Sequence, residues 1–303
     1  MTLGDAITQY IDFNQSVGMR FQVDAALLRA FYRHAGEVDV AAVSPNVVAA
    51  FLQPRHRVTS TWLMKQRALR RFYQHAITRG LVAQSPVPAI VPRAIDTFAP
   101  HIYSDEELRR LLAGVEAHQA RTRCTITAPT FRALLLLLYG AGLRLGEALG
   151  LRREEVDLPA AMILIRETKF YKCRQLPIGP NLTQALADAV AASRSDAGSD
   201  AFFINRRGDA IPHQTVRYNF VSLRASVGVP GRLHDFRHTF AVHRLLAWYR
   251  EGADVQRWLP HLSTYLGHAR ISSTQRYLTM IPELLEHASQ RFERYAQAEV
   301  RHE

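Results

Sequence analysis

Tyr277 stands nine residues beyond His268, in the run Leu266-Gly267-His268-Ala269-Arg270-Ile271-Ser272-Ser273-Thr274-Gln275-Arg276-Tyr277. Upstream, in chain order, come Arg144, Lys169 and the cluster His234-Asp235-Phe236-Arg237. A phenol can attack phosphorus, guanidiniums offer paired donors to its non-bridging oxygens, and an amine and imidazoles can move protons. Together these groups suit phosphoryl transfer through a covalent phosphotyrosine. One tyrosine among eleven would not carry that reading, because tyrosines are ordinarily packed. The constellation carries it.

Taken singly, each member has a plainer reading. Arg144 follows the glycines of Gly140-Ala141-Gly142-Leu143-Arg144-Leu145-Gly146-Glu147. Such a turn can lift an arginine into a cleft, with Glu147 one helical turn on to orient it; the same i, i+3 pair is also a common surface ion pair. His234 and His238 have the i, i+4 spacing of a zinc-binding helix. The residue after His234 is aspartate where that motif has glutamate, however, and Arg237 sets a positive charge beside any would-be cation. A phosphate explains this arginine; a metal does not. Cys124 and Cys173 fit no metal or disulfide spacing and read as free thiols.

Two domains are expected to position these groups. With 303 residues, 48% of them hydrophobic, the chain can bury sizeable cores. Helical periodicity predicts Leu3 to Val17, Val23 to Ala35, Pro45 to Leu52 and Thr61 to Arg79, giving a helical domain over 1–84. Residues 85–103, opening with Ser85-Pro86-Val87-Pro88, read as an extended connector. A second domain over 104–303 starts at Ser104-Asp105-Glu106-Glu107, a capping-box signature. Within it, Phe131 to Tyr139 is a core helix, Ala161 to Arg166 and Arg174 to Ile178 are two strands joined by a turn carrying Lys169 and Lys172, and Ala201 to Ile204 is a third strand. Helices follow from residue 212, with Ser272 and Ser273 as caps before Tyr277 and an amphipathic segment over Glu283 to Tyr295. The fold class is mainly α with a small β-sheet.

The formal net charge of +11 points to a polyanionic partner. Between Asp39 and Asp96 there is no acidic residue, while Arg55, Arg57, Lys65, Arg67, Arg70, Arg71, Arg79 and Arg93 all fall there. On the Thr61 to Arg79 helix, Trp62, Leu69, Tyr73 and Ala76 share one face and Arg67 and Arg71 project from the other. A solvated charged face normally mixes signs, so Lys65, Arg67, Arg70 and Arg71 are read as contacts to a DNA backbone. No apolar run reaches the roughly 20 residues of a membrane span, and Asp5 and Asp12 interrupt any leader. A cytoplasmic, nucleoid-associated protein with no membrane partner is expected.

These segments together resemble the tyrosine recombinase, or phage integrase, family. Its catalytic domain has an arginine in Gly-Leu-Arg-x-x-Glu, a lysine on a hairpin turn, His-x-x-Arg, Leu-Gly-His, and a tyrosine nine residues after that last histidine. All five occur here in order, over roughly residues 104 to 285. Phe236 departs mildly from the aliphatic residue usual in His-x-x-Arg, and the Trp248 to His261 stretch is longer than in compact relatives.

The resemblance implies a helical core-binding domain before a mixed catalytic domain, and roles position by position. Arg144 and Arg237 clamp the scissile phosphate, and Tyr277 attacks it to leave a 3′-phosphotyrosine and a free 5′-hydroxyl. Lys169, eight residues before Pro177, protonates the departing oxygen, His234 assists proton transfer at the tyrosine, and His268 binds a non-bridging oxygen. No cofactor is required. The implied partners are double-stranded recombination sites, bound as a homotetramer on two paired sites, with accessory recombinases or directionality factors. The resemblance implies a mobile-element integrase or transposase, with a chromosome or plasmid dimer resolvase as the alternative. A type IB topoisomerase and a non-catalytic DNA-binding protein are the readings from other classes; the latter should have lost a catalytic residue, and none is missing.

Overall fold

The computed structural model describes residues 1–53, 59–89, 99–121, 123–166, 173–193, 198–268 and 270–279. The chain divides into two compact units, Met1–Phe98 and Ala99–Glu303. The central part of the expected connector, residues 90–98, lies outside the described residues, as do Lys169, Lys172 and the segment Glu283 to Tyr295.

The first unit is helical throughout: α1 (Leu3–Ser16), α2 (Gln22–Ala35), α3 (Pro45–Leu52) and α4 (Ser60–Thr78). Side-chain caps start α1 and α4, with Thr2 Oγ1 accepting from Asp5 N at 3.1 Å and Thr59 Oγ1 from Trp62 N at 3.2 Å. The apolar stripe of each helix closes on one core that includes Leu3, Ile7, Leu28, Phe31, Leu69, Phe72 and Tyr73. Val82 and Val87 extend this core past α4, so the start of the proline-rich stretch packs as part of the unit.

The second unit begins with Tyr103 fully buried and Ser104 capping α5 (Asp105–Gln119). Ser104 and Glu107 form a reciprocal capping box, at 3.2 Å and 2.9 Å. Helix α6 (Ala128–Gly140) is the core element expected from the apolar run, with Phe131, Leu134, Leu135, Leu137 and Leu138 buried. It packs against α5, and then come α7 (Leu145–Leu149), β1 (Val156–Asp157), β2 (Met162–Ile165) and β3 (Arg174–Pro177). The strands form an antiparallel sheet in the order β1-β2-β3, with Ile165 opposite Arg174. Helices α8 (Pro180–Ala191), α9 (His213–Ser226), α10 (Asp235–Arg250), α11 (Val255–Leu266) and α12 (Ser272–Gln275) follow, and α12 runs into a 3₁₀ turn over Arg276–Thr279.

Two expectations are corrected. Ala201 to Ile204 is no strand: Ala201 makes one bridge to Arg152 and Ile204 one to Ala210, while the third strand of the sheet is Val156–Asp157. Phe202, Phe203 and Ile204 are buried because they plug the core, not because they extend a ladder. Ser272 and Ser273 also do not cap; they are the first residues of α12, whose N-cap position is Ile271.

A tight turn after α6 brings Arg144 to the edge of the core. Gly142 adopts φ +59, where a Cβ would meet Phe240 at 2.6 Å and Leu266 at 2.8 Å. Left-handed backbone and a filled space both demand glycine there. Leu143 then buries its side chain and Arg144 becomes the N-cap of α7, which turns its side chain out of the core. Gly142→Ala is therefore expected to destabilise the catalytic unit by roughly 2–5 kcal/mol, combining the left-handed penalty with overpacking. Urea denaturation of the full chain would read this directly, and a loss below about 1 kcal/mol would show that the turn relaxes.

Candidate active site

Two guanidiniums meet on one carboxylate, with a third close by. Glu147, on α7, accepts from Arg144 Nη1 at 2.8 Å and from Arg174 Nη2 at 2.8 Å, and its second contact with Arg174 is 3.4 Å. Burial pushes the Glu147 carboxyl up, but the hydrogen bonds and charges of Arg174 and then Arg144 outweigh it and hold the group below its usual value. Arg237, only 2% exposed, lies in the same field. Its Nη1 donates to Gly142 O at 2.7 Å and its Nη2 to Leu266 O at 2.6 Å. Desolvation, then Arg144, brings Arg237 down to about 10, so it stays charged at neutral pH.

The Leu-Gly-His run is the end of α11. His268 N donates to Ser263 O at 2.9 Å and Gly267 N to Thr264 O at 2.9 Å, the paired bonds of a Schellman ending with Gly267 at φ +66. Leu266 anchors that ending in the core, the left-handed glycine reverses the chain, and His268 is delivered to the cleft. Gly267 has a further reason to be glycine: a Cβ would meet Arg174 Nη1 at 2.7 Å. Its carbonyl faces Arg144 Nη2 at 3.4 Å. Thr274 Oγ1 fixes the His268 ring through Nδ1 at 2.7 Å.

Helix α10 supplies the other side. Tyr103 N donates to Thr239 Oγ1 at 3.0 Å, Thr239 Oγ1 donates to Asp235 O at 2.8 Å, and Asp235 Oδ2 accepts from Arg232 N at 2.8 Å. This buried chain locks the first turn, from which His234, Arg237 and His238 project. Tyr277, 3% exposed, packs its ring in the apolar cluster of α10 and α11 that includes Leu245, Leu262 and Leu266. Its Oη lies 3.1 Å from His238 Nδ1. His234 and His238 meet edge to face with ring centroids 4.7 Å apart, and the His268 ring is nearly parallel to that of Tyr277 at 6.3 Å.

The structure therefore brings Arg144, Glu147, His234, Arg237, His268 and Tyr277 into one site; Lys169 lies outside the described residues. Three further members escape the sequence reading. Arg174 shares the buried face of β3 with Leu176, and an arginine in phase with a core leucine is the signal that could have found it. His238 has a signal only as one half of a zinc-like pair, and Thr274 has none beyond standing one turn before Tyr277. Among the described residues no group of His, Cys, Asp and Glu is arranged to hold a metal ion, and both cysteines are free.

The same burial and the same cations act on all three histidines. His238 is pulled down to about 3, by desolvation first and then by His234 and Arg237. His268 falls to about 4 through desolvation, Arg237 and Arg144. His234 is exposed as a residue, yet partial burial of its ring lowers it, and Arg237 and then Arg144 lower it further. The Tyr277 phenol is raised by burial, with Arg237, Arg144 and Arg276 pulling partly back. At pH 7 the site thus holds charged arginines, neutral imidazoles and a protonated phenol.

Residues 103–283 match the Phage integrase family. The chain belongs to this family. The integrase-family chain is 32% identical to y4rB of Sinorhizobium fredii, assigned by its name to the integrases and recombinases, over 97% of this chain and 98% of that one. It is 33% identical to the tyrosine recombinase XerA of Thermococcus kodakarensis over 67% of this chain and 65% of that one. In fold it is similar to the Tn1549 transposon integrase in complex with circular intermediate DNA, with a TM-score of 0.72 at 16% identity over 97% and 99% of the two chains. It is also similar to the lambda integrase tetramer bound to a Holliday junction, with a TM-score of 0.64 at 14% identity over 91% and 77%. This integrase-family protein is accordingly a tyrosine recombinase, an enzyme that breaks and rejoins DNA strands.

On α4 of the first unit, Arg67, Arg70 and Arg71 are exposed. The fold adds what the sequence could not show: Arg71 lies 3.6 Å from Asp24 of α2, and Lys65 turns inward, donating to Phe51 O at 3.2 Å with its ammonium 4.2 Å from the Phe51 ring centre. No helix among the described residues is long and apolar enough to cross a membrane.

Two outcomes follow from these charges. A histidine depressed in the folded state contributes stability that is complete above its unfolded value near 6.5 and is lost as pH falls below it, here toward 4 and 3. Between pH 6.5 and about 5, where carboxylates stay ionised, the unfolding free energy should fall by at most about 1.4 kcal/mol per group per pH unit before solvent screening, and the thermal midpoint should fall with it. A His238→Gln, His268→Gln double variant should lose less across that window; an equal loss would place the titration elsewhere. Neutralising Arg67 and Arg71 should weaken binding to all duplexes and flatten the dependence of log K on log salt by about 0.9 for each phosphate no longer neutralised. An unchanged slope would mark the face as solvated.

Proposed function

We propose that this recombinase cuts DNA with Tyr277, through a 3′-phosphotyrosine, at a phosphate held by Arg144 and Arg237. The observation that carries the reading is the charge imbalance: two guanidiniums share the Glu147 carboxylate, and a third, Arg237, is held close by on backbone carbonyls, beside a buried phenol. The excess positive charge is matched by a phosphodiester and grows more favourable as negative charge develops on its oxygens in the pentavalent transition state. Arg174 Nε, buried without a hydrogen-bond partner among the described residues, is a further donor inside that field.

The remaining roles follow the family pattern. His268, turned by Thr274, binds a non-bridging oxygen, and His234 lies at the cleft's open edge, where it assists proton transfer. Lys169, between β2 and β3 in the sequence and outside the described residues, gives its proton to the departing 5′-oxygen. These cations supply what a metal supplies in other phosphoryl transfers, so the chemical step requires no cofactor. The energy of the broken diester is kept in the phosphotyrosine, so strand exchange needs no ATP.

Assembly as a homotetramer on two paired sites, with the exposed Arg67, Arg70 and Arg71 contributing to DNA contact and the expected Lys65 turned inward on Phe51 instead, fits the fold shared with lambda integrase, whose tetramer binds a Holliday junction. A mobile-element role, integration, excision or transposition, is supported by the fold shared with the Tn1549 transposon integrase and by near full-length similarity to y4rB. Dimer resolution is the second reading, supported by the Xer relatives. Directionality factors or partner recombinases would set the outcome.

Covalent protein-DNA adducts recovered from the source genome and sequenced would report activity and target together, at element ends under the first reading and at a single chromosomal or plasmid site under the second. Tyr277→Phe should abolish the adduct and leave DNA binding nearly intact, while Arg144→Ala and Arg237→Ala should each slow cleavage by about 10²-fold or more. An adduct surviving in Tyr277→Phe would move the nucleophile to Tyr265 or another tyrosine. Cleavage is expected to persist in EDTA.

A further inference from the structure

The hydroxyl of Tyr277 has to lose a proton before its oxygen can bond to phosphorus, and the surroundings make that loss difficult. Burial raises the phenol above its ordinary value, and the ring is almost wholly enclosed by α10 and α11. Bulk water is a poor acceptor for a side chain only 3% exposed, so the acceptor has to be a group already in contact. His238 meets this oxygen through Nδ1 at 3.1 Å. The Arg237 charge also acts on this oxygen, but a guanidinium only donates and has no lone pair to receive a proton.

From this juxtaposition we infer that His238 is a further catalytic residue, the base that takes the Tyr277 proton during strand cleavage and returns it during ligation. The inference rests on Tyr277 being the nucleophile. As the Oη–H bond breaks, the proton passes to the Nδ1 lone pair. The electron pair left on Oη forms the bond to phosphorus, the bond from phosphorus to the 5′-oxygen breaks, and that oxygen takes a proton from the general acid. Ligation runs the same path backwards, with His238 restoring the phenol. The ring needs Nδ1 unprotonated to do this, with its hydrogen on Nε2.

The groups facing the ring keep it ready. His234 at the N-cap of α10 and Arg237 on the same turn, Arg232 in the preceding loop, and Arg276 and Tyr277 from the 3₁₀ turn surround it; burial with this cationic company holds the imidazole neutral at pH 7. An approaching phosphodiester brings negative charge into that same field, which raises the basicity of Nδ1 at the step that uses it. His234 meets His238 edge to face, ring centroids 4.7 Å apart, and adds to the surroundings that lower it. The spacing explains why two histidines stand one helical turn apart: both face one cleft, and the second reaches the phenol.

The test uses the full chain on a duplex built from the cleavage site mapped by adduct sequencing, with a 5′-bridging phosphorothiolate at the scissile position. A sulfur leaving group needs no acid, so deprotonation of the nucleophile governs the rate. Wild-type adduct formation that disappears in Tyr277→Phe establishes the nucleophile first; its failure would overturn that reading and this inference with it. With the nucleophile established, His238→Ala and His238→Asn should both slow adduct formation by about 10²-fold or more. Asparagine can still accept the hydrogen bond but cannot carry the proton, so its loss separates base from scaffold. In His238→Asn the rate should rise with pH as the phenol ionises unaided, and a fluorotyrosine at position 277 should move that rise to lower pH and recover most of the loss. Near wild-type cleavage by His238→Asn would reduce His238 to a positioning residue and overturn the assignment. Faster cleavage by His238→Ala would reveal a latch that parks the tyrosine, and would overturn it equally. A slow variant that fluorotyrosine fails to rescue would place the defect in packing and refute the base as well.

Discussion

Three arginines confined around one glutamate set the terms for everything near them. Like charges in a partly desolvated pocket repel, so each guanidinium has to be held by something other than its cationic neighbours. Glu147 restrains two of them, and the backbone restrains the third, through the carbonyls of Gly142 and Leu266. Those carbonyls are available because two turns bend sharply, one after α6 and one after α11, and both bends pass through left-handed glycines. The polypeptide's geometry is thus tied to the electrostatics: the packing of α6, α10 and α11 holds a charge on backbone carbonyls, with Glu147 bonded to its two neighbours instead.

The same field governs the neutral members of the site. Imidazoles crowded by guanidiniums give up their protons, and a buried phenol keeps its own. An acceptor beside a donor is the result, His238 Nδ1 against the Tyr277 hydroxyl. Thr274, His268 and the Schellman ending of α11 then form one unit, in which a hydroxyl, a ring and a helix terminus fix each other's orientation.

Much of this was legible in the sequence where periodicity and punctuation speak plainly. The capping box at Ser104, the apolar run of α6, the glycine turn before Arg144 and the α4 stripe of Leu69, Tyr73 and Ala76 all follow from local rules. The spaced motif from Arg144 to Tyr277 identified the family. What stayed hidden depended on partners distant along the chain. Arg174 is read as an ordinary strand opener until Glu147 is brought to it from 27 residues away, and Arg71 looked unopposed until α2 laid Asp24 alongside. The Ala201 to Ile204 run has strand composition, but its backbone makes single bridges while its side chains fill the core. Composition reported burial there, and burial alone does not distinguish a strand from a plug.

The enclosure of Tyr277 carries a consequence for the safety of the broken strand. Its ring lies within an apolar cluster that admits little solvent. A DNA end joined to its oxygen would be stored where hydrolysis is starved of its reagent, while the neighbouring strand's hydroxyl, delivered by base pairing, arrives at high local concentration. The fold would then act as custody for a severed duplex: release goes to another DNA end, not to water, and the lesion that every cut risks is avoided by denying it a reactant.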